Sequence, residues 1–312
     1  MTTEKDWLEE KRTCIGASEW APVLGLDPFS GPLHVYASKV LGYANETTPA
    51  MEQGKIMERP IAEMYQRRTG RVVVKNAQLD RTIQRHPDLS WLGATLDGMT
   101  VSSDAYPAPN DYPEPAPLEI KNTRGFVYAD GRWKYIKPED WAKRPPRYNR
   151  IQVQAQMSCT TAKWGSLCAL INGTDLVWSD QERNNRFILA AIPVLERFWQ
   201  RVLDKRPPSV NDLPRSLEVV KRMYPDETGE VVTFSDEANA DALRWLELRS
   251  ECSAMEKEKK ALEAKLRFAM ADNTFAKLSN GTYLSLKKSY RKGYTKVVEP
   301  SEYRTLRPCK KI

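Results

Sequence analysis

Thr95-Leu96-Asp97-Gly98 and, further along, Leu118-Glu119-Ile120-Lys121 are the stretches that decide how this chain folds. The second reads as a short strand emerging from the proline-rich segment 104–117 (DAYPAPNDYPEPAP). Along a strand, residues i and i+2 share a face and the residue between them takes the other. Glu119 and Lys121 therefore project together, and Ile120 points into the core. Asp97-Gly98 suits a tight turn inside the strand-turn-strand reading of 91–101. A carboxylate on such a turn can meet Glu119, giving hard oxygen donors with one amine beside them. That donor set suits Mg2+ or Mn2+ rather than zinc. Each piece alone has a plainer reading. An E-x-K strand is more often a solvated face with a weak ion pair. Asp-Gly is usually only a turn, and Glu58 alone would be an ordinary exposed helix residue. What lifts them is the order: Asp-Gly, then an apolar strand ending in E-x-K, then a glutamine-rich helix.

Outward from this centre, residues 14–45 read as short helices around a Gly25-Leu-Asp-Pro-Phe29 turn. Residues 52–69 have helical spacing, with Ile56, Ile61, Met64 and Tyr65 expected on one face, and Gly70 stops the helix. Arg71-Val-Val-Val74 starts a strand. Residues 122–148 show no clear periodicity but interleave Arg124, Arg132, Lys134 and Arg147 with Phe126, Tyr128, Trp133 and Tyr148. Cations for phosphates and rings for base faces fit a DNA-end channel; the alternative is a loop whose aromatics pack on the core. A helix begins at Ile151. A strand pair turns at Asn172-Gly173, and an amphipathic helix follows over 186–202. Lys205-Arg-Pro-Pro-Ser209 marks a boundary, dividing a core of 1–210 from a C-terminal region of 211–312. There, 236–271 is a long helix candidate. Leu248, Cys252, Met255, Leu262, Leu266 and Ala269 lie at 3–4 spacing, and Lys259 interrupts the seam. This reads as a helical hairpin or coiled-coil-like arm. A β-hairpin around Asn280-Gly281 follows.

Composition sets the limits. The chain has 312 residues, 41% hydrophobic and 29% charged, a soluble globular mix with enough apolar mass for a core. No apolar run approaches the length of a membrane span, so no membrane partner is expected. The N-terminal MTTEKDWLEEKR lacks the apolar stretch of a secretory signal, which predicts a cytoplasmic protein. The five scattered cysteines, with no CxxC pair, and only two histidines argue against a structural zinc site, an iron–sulfur cluster and a disulfide framework. Net charge is +7. Between Lys287 and Lys311, nine basic and two acidic residues also sum to +7, so the tail carries the whole excess. It reads as a duplex contact or as a solvated strand edge guarded by lysines.

The motifs resemble the YqaJ-type phage recombination exonucleases, relatives of bacteriophage lambda exonuclease in the PD-(D/E)xK nuclease superfamily. The resemblance runs from about Arg12 to Pro208. It rests on Ile15-Gly-Ala-Ser-Glu19, Gly54-Lys-Ile-Met-Glu58-Arg-Pro60, Thr95-Leu-Asp97-Gly98, Leu118-Glu-Ile-Lys121 and Gln152-Val-Gln154-Ala-Gln156-Met157, closing with Phe198-Trp199 and Lys205-Arg-Pro-Pro208. The sequence departs from the family at Leu96, usually proline, and at Asn122, often Cys or Thr; neither changes a ligand. The resemblance implies a restriction-endonuclease-like α/β core, a central mixed sheet flanked by helices; the helical arm and β-hairpin read from the C-terminal residues are appended to it. It implies that Asp97, Glu119 and the Ile120 carbonyl hold Mg2+ (Mn2+ substituting) and that Glu58 adds a carboxylate. Lys121 would activate the attacking water or stabilise the phosphorane, and Gln154 would orient that group. Arg12 and Ser18 would grip a terminal 5′-phosphate, and Arg124 and Arg147 would face DNA.

The implied activity is degradation of the 5′-ended strand at double-stranded DNA ends, leaving 3′ single strands for a single-strand annealing protein. The implied assembly is a homo-oligomer, a trimeric ring around DNA. Two other readings stay open on the residues alone. One is an endonuclease of the restriction or repair type, with the same active-site residues. The other is a non-catalytic module that binds DNA ends or a partner; intact Asp97, Glu119 and Lys121 argue against it.

Overall fold

The structure, a computed structural model, describes residues 4–42, 48–74, 82–129, 132–213, 215–293, 295 and 302–309. The chain falls into two compact units, 1–223 and 224–312. Among the described residues the first unit runs α1 (Glu4–Arg12), β1 (Ile15–Gly16), a 3₁₀ turn (Ala17–Glu19), α2 (Trp20–Val23), α3 (Pro32–Leu41), α4 (Pro49–Thr69), β2 (Val73–Val74), β3 (Gln84–Arg85), β4 (Leu92–Ala94) and β5 (Gly98–Thr100). It continues through β6 (Ala116–Thr123), β7 (Phe126–Ala129), β8 (Arg132–Tyr135), α5 (Pro138–Lys143), α6 (Arg147–Thr160), β9 (Trp164–Ile171), β10 (Asp175–Glu182), α7 (Asn185–Leu203) and α8 (Ser216–Met223). The unit extends past the Lys205–Ser209 break because Val219 of α8 packs on Leu33 and Ala37 of α3.

The central sheet has the order β10-β9-β6-β5-β2. Its β6–β9 pair is parallel and its other pairs are antiparallel, so it is mixed. The strand alternation sorts its faces. Leu118 and Ile120 of β6, with Cys168 and Leu170 of β9, pack against Ile61, Ala62 and Tyr65 of α4. Leu167, Ala169 and Ile171 pack against Val153 and Met157 of α6 on the opposite face. Glu119 and Lys121 share that second face. A Cβ at Gly165 would stand 2.7 Å from Val153 Cγ1, so this glycine lets α6 lie close on β9. A second sheet, β1-β4-β3, sits over another part of the core. The strand-turn-strand around Asp97 is thus split: β4 belongs to one sheet and β5 to the other. Asp97 lies on the link between them.

Helix α4 is set at both ends. Thr48 Oγ1 accepts from Met51 N, Pro49 opens the first turn, and Gly70 closes it at φ +67°. Its buried face runs through Ile61, Ala62 and Tyr65, whereas Ile56 is 73% exposed. Ile56 lies five residues from Ile61, well off that stripe on a 3.6-residue turn. Glu58 instead continues the stripe toward the sheet's end. Residues 122–148, read as aperiodic, form the β7–β8 hairpin and α5.

In the second unit, α9 (Asp236–Met270) is one continuous helix of 35 residues, not a helical hairpin. Ser235 caps it, and ion pairs such as Arg267–Glu263 run along it. Leu248, Met255, Leu262 and Leu266 are exposed. The hairpin of β11 (Phe275–Lys277) and β12 (Tyr283–Ser285) follows, shorter than expected. The basic tail therefore leaves the strand at Leu286, while Lys296, Lys310 and Lys311 lie outside the described residues.

Candidate active site

Glu119 is 2% exposed, and a carboxylate so deep must be held by donors. Lys121 Nζ donates to its Oε1 at 2.5 Å and Gln152 Nε2 to the same oxygen at 2.7 Å. Gln156 Nε2 donates to Oε2 at 2.5 Å. Lys121 Nζ also reaches Gln152 Oε1 at 3.2 Å. Gln152 and Gln156 are one helical turn apart, so α6 presents both to the strand above it. Lys121 keeps 30% of its side chain exposed, facing a cavity of about 300 Å³ also lined by Asn122, Gly125, Trp141, Tyr148 and Asn149. Burial pulls the Lys121 pKa down, but Glu119 and Asp97 outweigh it and hold the ammonium above its ordinary value.

Asp97 is fastened from the other side: the Ile120 N–H donates to its Oδ2 at 2.8 Å. The backbone between Glu119 and Lys121 thus holds the carboxylate arriving from the link between the sheets. Asp97 is pushed up to about 8, first by burial and then by the charges of Glu119 and Glu58, against Lys121 and the Ile120 amide. Glu58, half-buried on α4, acts on the pair through that charge. Among the described residues no three carboxylate, histidine or cysteine side chains stand close enough to hold a metal by themselves. The donors here are instead two carboxylates and a backbone carbonyl at Ile120. They are hard oxygens carrying crowded negative charge, and the buried Oε1 of Gln156 beside them has no partner among the described residues. These residues fit a hard divalent cation.

The raised Asp97 has a signed consequence. A carboxyl whose folded pKa lies above its ordinary value favours the protonated fold, so the cation-free protein loses stability as pH rises from about 4 toward about 8. A cation that requires the ionised carboxylate stabilises more at the alkaline end. Mg2+ is expected to raise the melting temperature more at pH 8.5 than at pH 6; an equal shift at both would mean that Asp97 releases no proton when a cation binds.

The other expected residues lie as follows. Gln154 does not reach Glu119. It points the opposite way from Gln152 and Gln156, where its Nε2 donates to Glu182 O and its Oε1 accepts from Asn184 N, both at 2.8 Å, clamping the corner between β10 and α7. Two residues apart on a helix cannot share a face, and the E-x-K partners are the flanking glutamines. Arg12 donates from Nε to Lys39 O at 2.9 Å and from Nη2 to Val40 O at 3.1 Å, closing the C-terminal end of α3. Ser18 is exposed within the 3₁₀ turn, one residue before Glu19. Glu19 pairs with the buried Lys39 at 2.6 Å, which brings Ser18 and Arg12 into one neighbourhood. Replacing Arg12 by Ala is expected to lower the melting temperature, since two helix-end carbonyls lose their donor. The expected contact with a terminal 5′-phosphate is tested separately by the rate ratio on 5′-phosphorylated and unphosphorylated DNA ends; an unchanged ratio would rule that contact out. Arg124 is exposed just past β6, and Arg147 is exposed at the first turn of α6. Arg147 and Arg144 both help lower the pKa of Arg150, after burial, so three guanidinium groups crowd this helix start.

Three comparisons with known proteins bear on this arrangement. A family model described as YqaJ-like viral recombinase domain matches residues 6–163. The protein YqaJ of Bacillus subtilis (strain 168) is 23% identical over 281 residues, 88% of this chain and 81% of that one. Two crystal structures of LHK-Exo, an alkaline exonuclease from Laribacter hongkongensis, one of them with dAMP, align with a TM-score of 0.47 at 18% identity. They cover 70% and 65% of this chain and 97% and 94% of their own.

Proposed function

We propose that this chain, which belongs to the YqaJ-like viral recombinase domain family, is a cation-dependent exonuclease acting on double-stranded DNA ends. The observation that carries this reading is the joint fastening of two carboxylates and one ammonium. The Ile120 amide holds Asp97, and Glu119 is held by Lys121 and two glutamines of α6. A phosphodiester is an anion and resists an anionic nucleophile. A divalent cation held by Asp97, Glu119 and the Ile120 carbonyl, with Glu58 adding negative charge, supplies counter-charge and lowers the pKa of bound water when present. Lys121 keeps its proton, so its role is that of a donor: it positions the attacking water or stabilises charge on the phosphoryl oxygens. Glu119 and Gln152 aim the ammonium, and Gln156 fixes Glu119. The guanidinium groups at the start of α6, with Arg124, meet phosphates along the strand.

On the same reading the 5′-ended strand is the one degraded, and the remaining 3′ strand passes to a single-strand annealing protein. A ring-shaped trimer would keep the enzyme on its track. The deciding assay uses linear duplex DNA labelled separately at each end, with closed circular duplex and an Asp97→Ala protein beside it, in Mg2+. Loss of the 5′-ended strand from linear DNA alone, absent in Asp97→Ala, is the expected result. Cutting of closed circles would replace this reading with an endonuclease. Tight DNA binding without cutting in Mg2+ or Mn2+ would replace it with a binding module.

A further inference from the structure

The β7–β8 hairpin carries its aromatic residues on one side. The register pairs Phe126 with Tyr135 and Tyr128 with Trp133, while Val127 pairs with Lys134 and Ala129 with Arg132. Alternation puts all four rings on a single face. Their cross-strand contacts are edge-on, 5.5 Å for Phe126–Tyr135 and 5.6 Å for Tyr128–Trp133. A two-stranded ribbon buries little by itself, and one with four large rings usually hides them. Here the four are 39–59% exposed.

One further ring joins them. Phe29 stacks on Trp133 with centroids 5.5 Å apart and planes 18° from parallel. Its loop is fixed by Asp27, whose Oδ1 accepts from Phe29 N and Ser30 N. Phe29 also meets Tyr148 edge-on at 5.8 Å. Tyr148 lines the same cavity as Lys121, as do Gly125 and Phe126 at the hairpin's root. Rings therefore run without a break from the Lys121 cavity to Trp133, which remains 59% exposed beyond its Phe29 neighbour. Arg124, exposed, precedes the ribbon at the cavity end, and Arg132 and Lys134 alternate onto the face opposite the rings.

We propose that this ring face is a stacking platform for unpaired nucleobases, holding single-stranded DNA beside the scissile phosphate. The inference rests on the nuclease reading and adds to it the form of nucleic acid met outside the active site. Stacked pairs inside a duplex offer no free base face to a protein ring, whereas an unpaired or frayed base offers one. A surface of half-exposed rings, preceded by the exposed Arg124 and continuous with a cavity lined by a lysine, matches a strand that has left its partner. A protein surface would be matched as well by aliphatic residues and would not call for a cavity with a lysine at the root of the rings.

The test titrates the full chain, in EDTA to prevent cutting, with a short single-stranded oligonucleotide carrying 2-aminopurine, whose fluorescence is quenched by ring stacking. A blunt duplex of the same sequence and length is titrated in parallel. Trp133→Ala is expected to weaken single-strand binding roughly 5- to 150-fold and to remove most of the quench. Duplex affinity should change much less. Trp133→Phe, which keeps a ring, should restore most of both signals and guards against a misfolded hairpin. Equal single-strand affinity and quench in Trp133→Ala, in a wild-type protein that cuts duplex ends, overturns this inference and leaves the nuclease reading standing. An equal loss on single strand and duplex also overturns it. A wild-type protein that neither binds nor cuts DNA removes both.

Discussion

Lys121→Ala is expected to lower hydrolysis of linear duplex DNA by at least about a hundredfold, the scale on which a transition-state donor is lost. DNA binding should change little. Among the described residues, Lys121 is the one side chain that both lines the cavity and touches a buried carboxylate. Its ammonium stays charged because Glu119 and Asp97 oppose the effect of burial. The variant removes a donor without orphaning Glu119, whose oxygens keep Gln152 and Gln156. The melting temperature is nonetheless expected to fall, because the buried Glu119 loses its counter-charge, so rates are compared at a temperature where both proteins are folded and lost activity is then assigned to chemistry. Rates on end-labelled duplex beside affinities in EDTA make the check. Full activity in Lys121→Ala would overturn the site assignment.

The second large effect is on stability and lies away from the chemistry. Arg71 is 1% exposed, and its guanidinium is bidentate to Asp180, at 2.8 Å and 2.7 Å. The same group donates to Tyr65 Oη at 2.6 Å and to the carbonyls of Tyr106 and Pro107 at 3.0 Å each. Removing one partner of a buried charge pair strands the other. Arg71→Ala should cost about 3–5 kcal/mol, read as a fall in the denaturant midpoint with little change in slope. Arg71→Lys should recover little, because a point charge cannot reproduce the fork. Loss below about 1 kcal/mol would mean that water replaces the guanidinium at no great penalty. The clamp also bears on the site: it ties the proline-rich segment, which feeds β6, to the edge strand β10.

The legible part of this molecule was the part written in short-range rules. Strand alternation alone places Glu119 and Lys121 together and Ile120 on the α4 face, and the Asn172-Gly173 turn announces β9 and β10. Helix α4 was legible at its end, through Gly70, but its face was misplaced by Ile56; an apolar side chain at the wrong angle weighs no less in a sequence than one at the right angle. The glutamines show a similar limit. Three of them alternate along Gln152–Gln156, and which ones meet Glu119 depends on the rotation of α6 about its axis. That rotation is set by Val153 and Met157 packing on β9. The one-turn spacing of Gln152 and Gln156 was the available signal. Arg71 carried no signal, since apart from Tyr65, six positions back, its side-chain partners lie 35 to 109 positions away. The β7–β8 ribbon was hidden because its strands are four residues each, too short for alternation to stand out among so many charges.

The parallel pairing of β6 with β9 also orders events in time. Glu119 lies opposite Leu167, and α6 with its two glutamines occupies the chain between them. A pairing this distant in sequence is slow, since loop closure must precede any gain. A growing chain that has just produced Asp97, Glu119 and Lys121 therefore does not yet hold them in a working geometry. On the nuclease reading, cutting is expected only once β9 has been synthesised and has docked. On refolding from denaturant, hydrolytic activity is expected to return with the slowest folding phase and not before it.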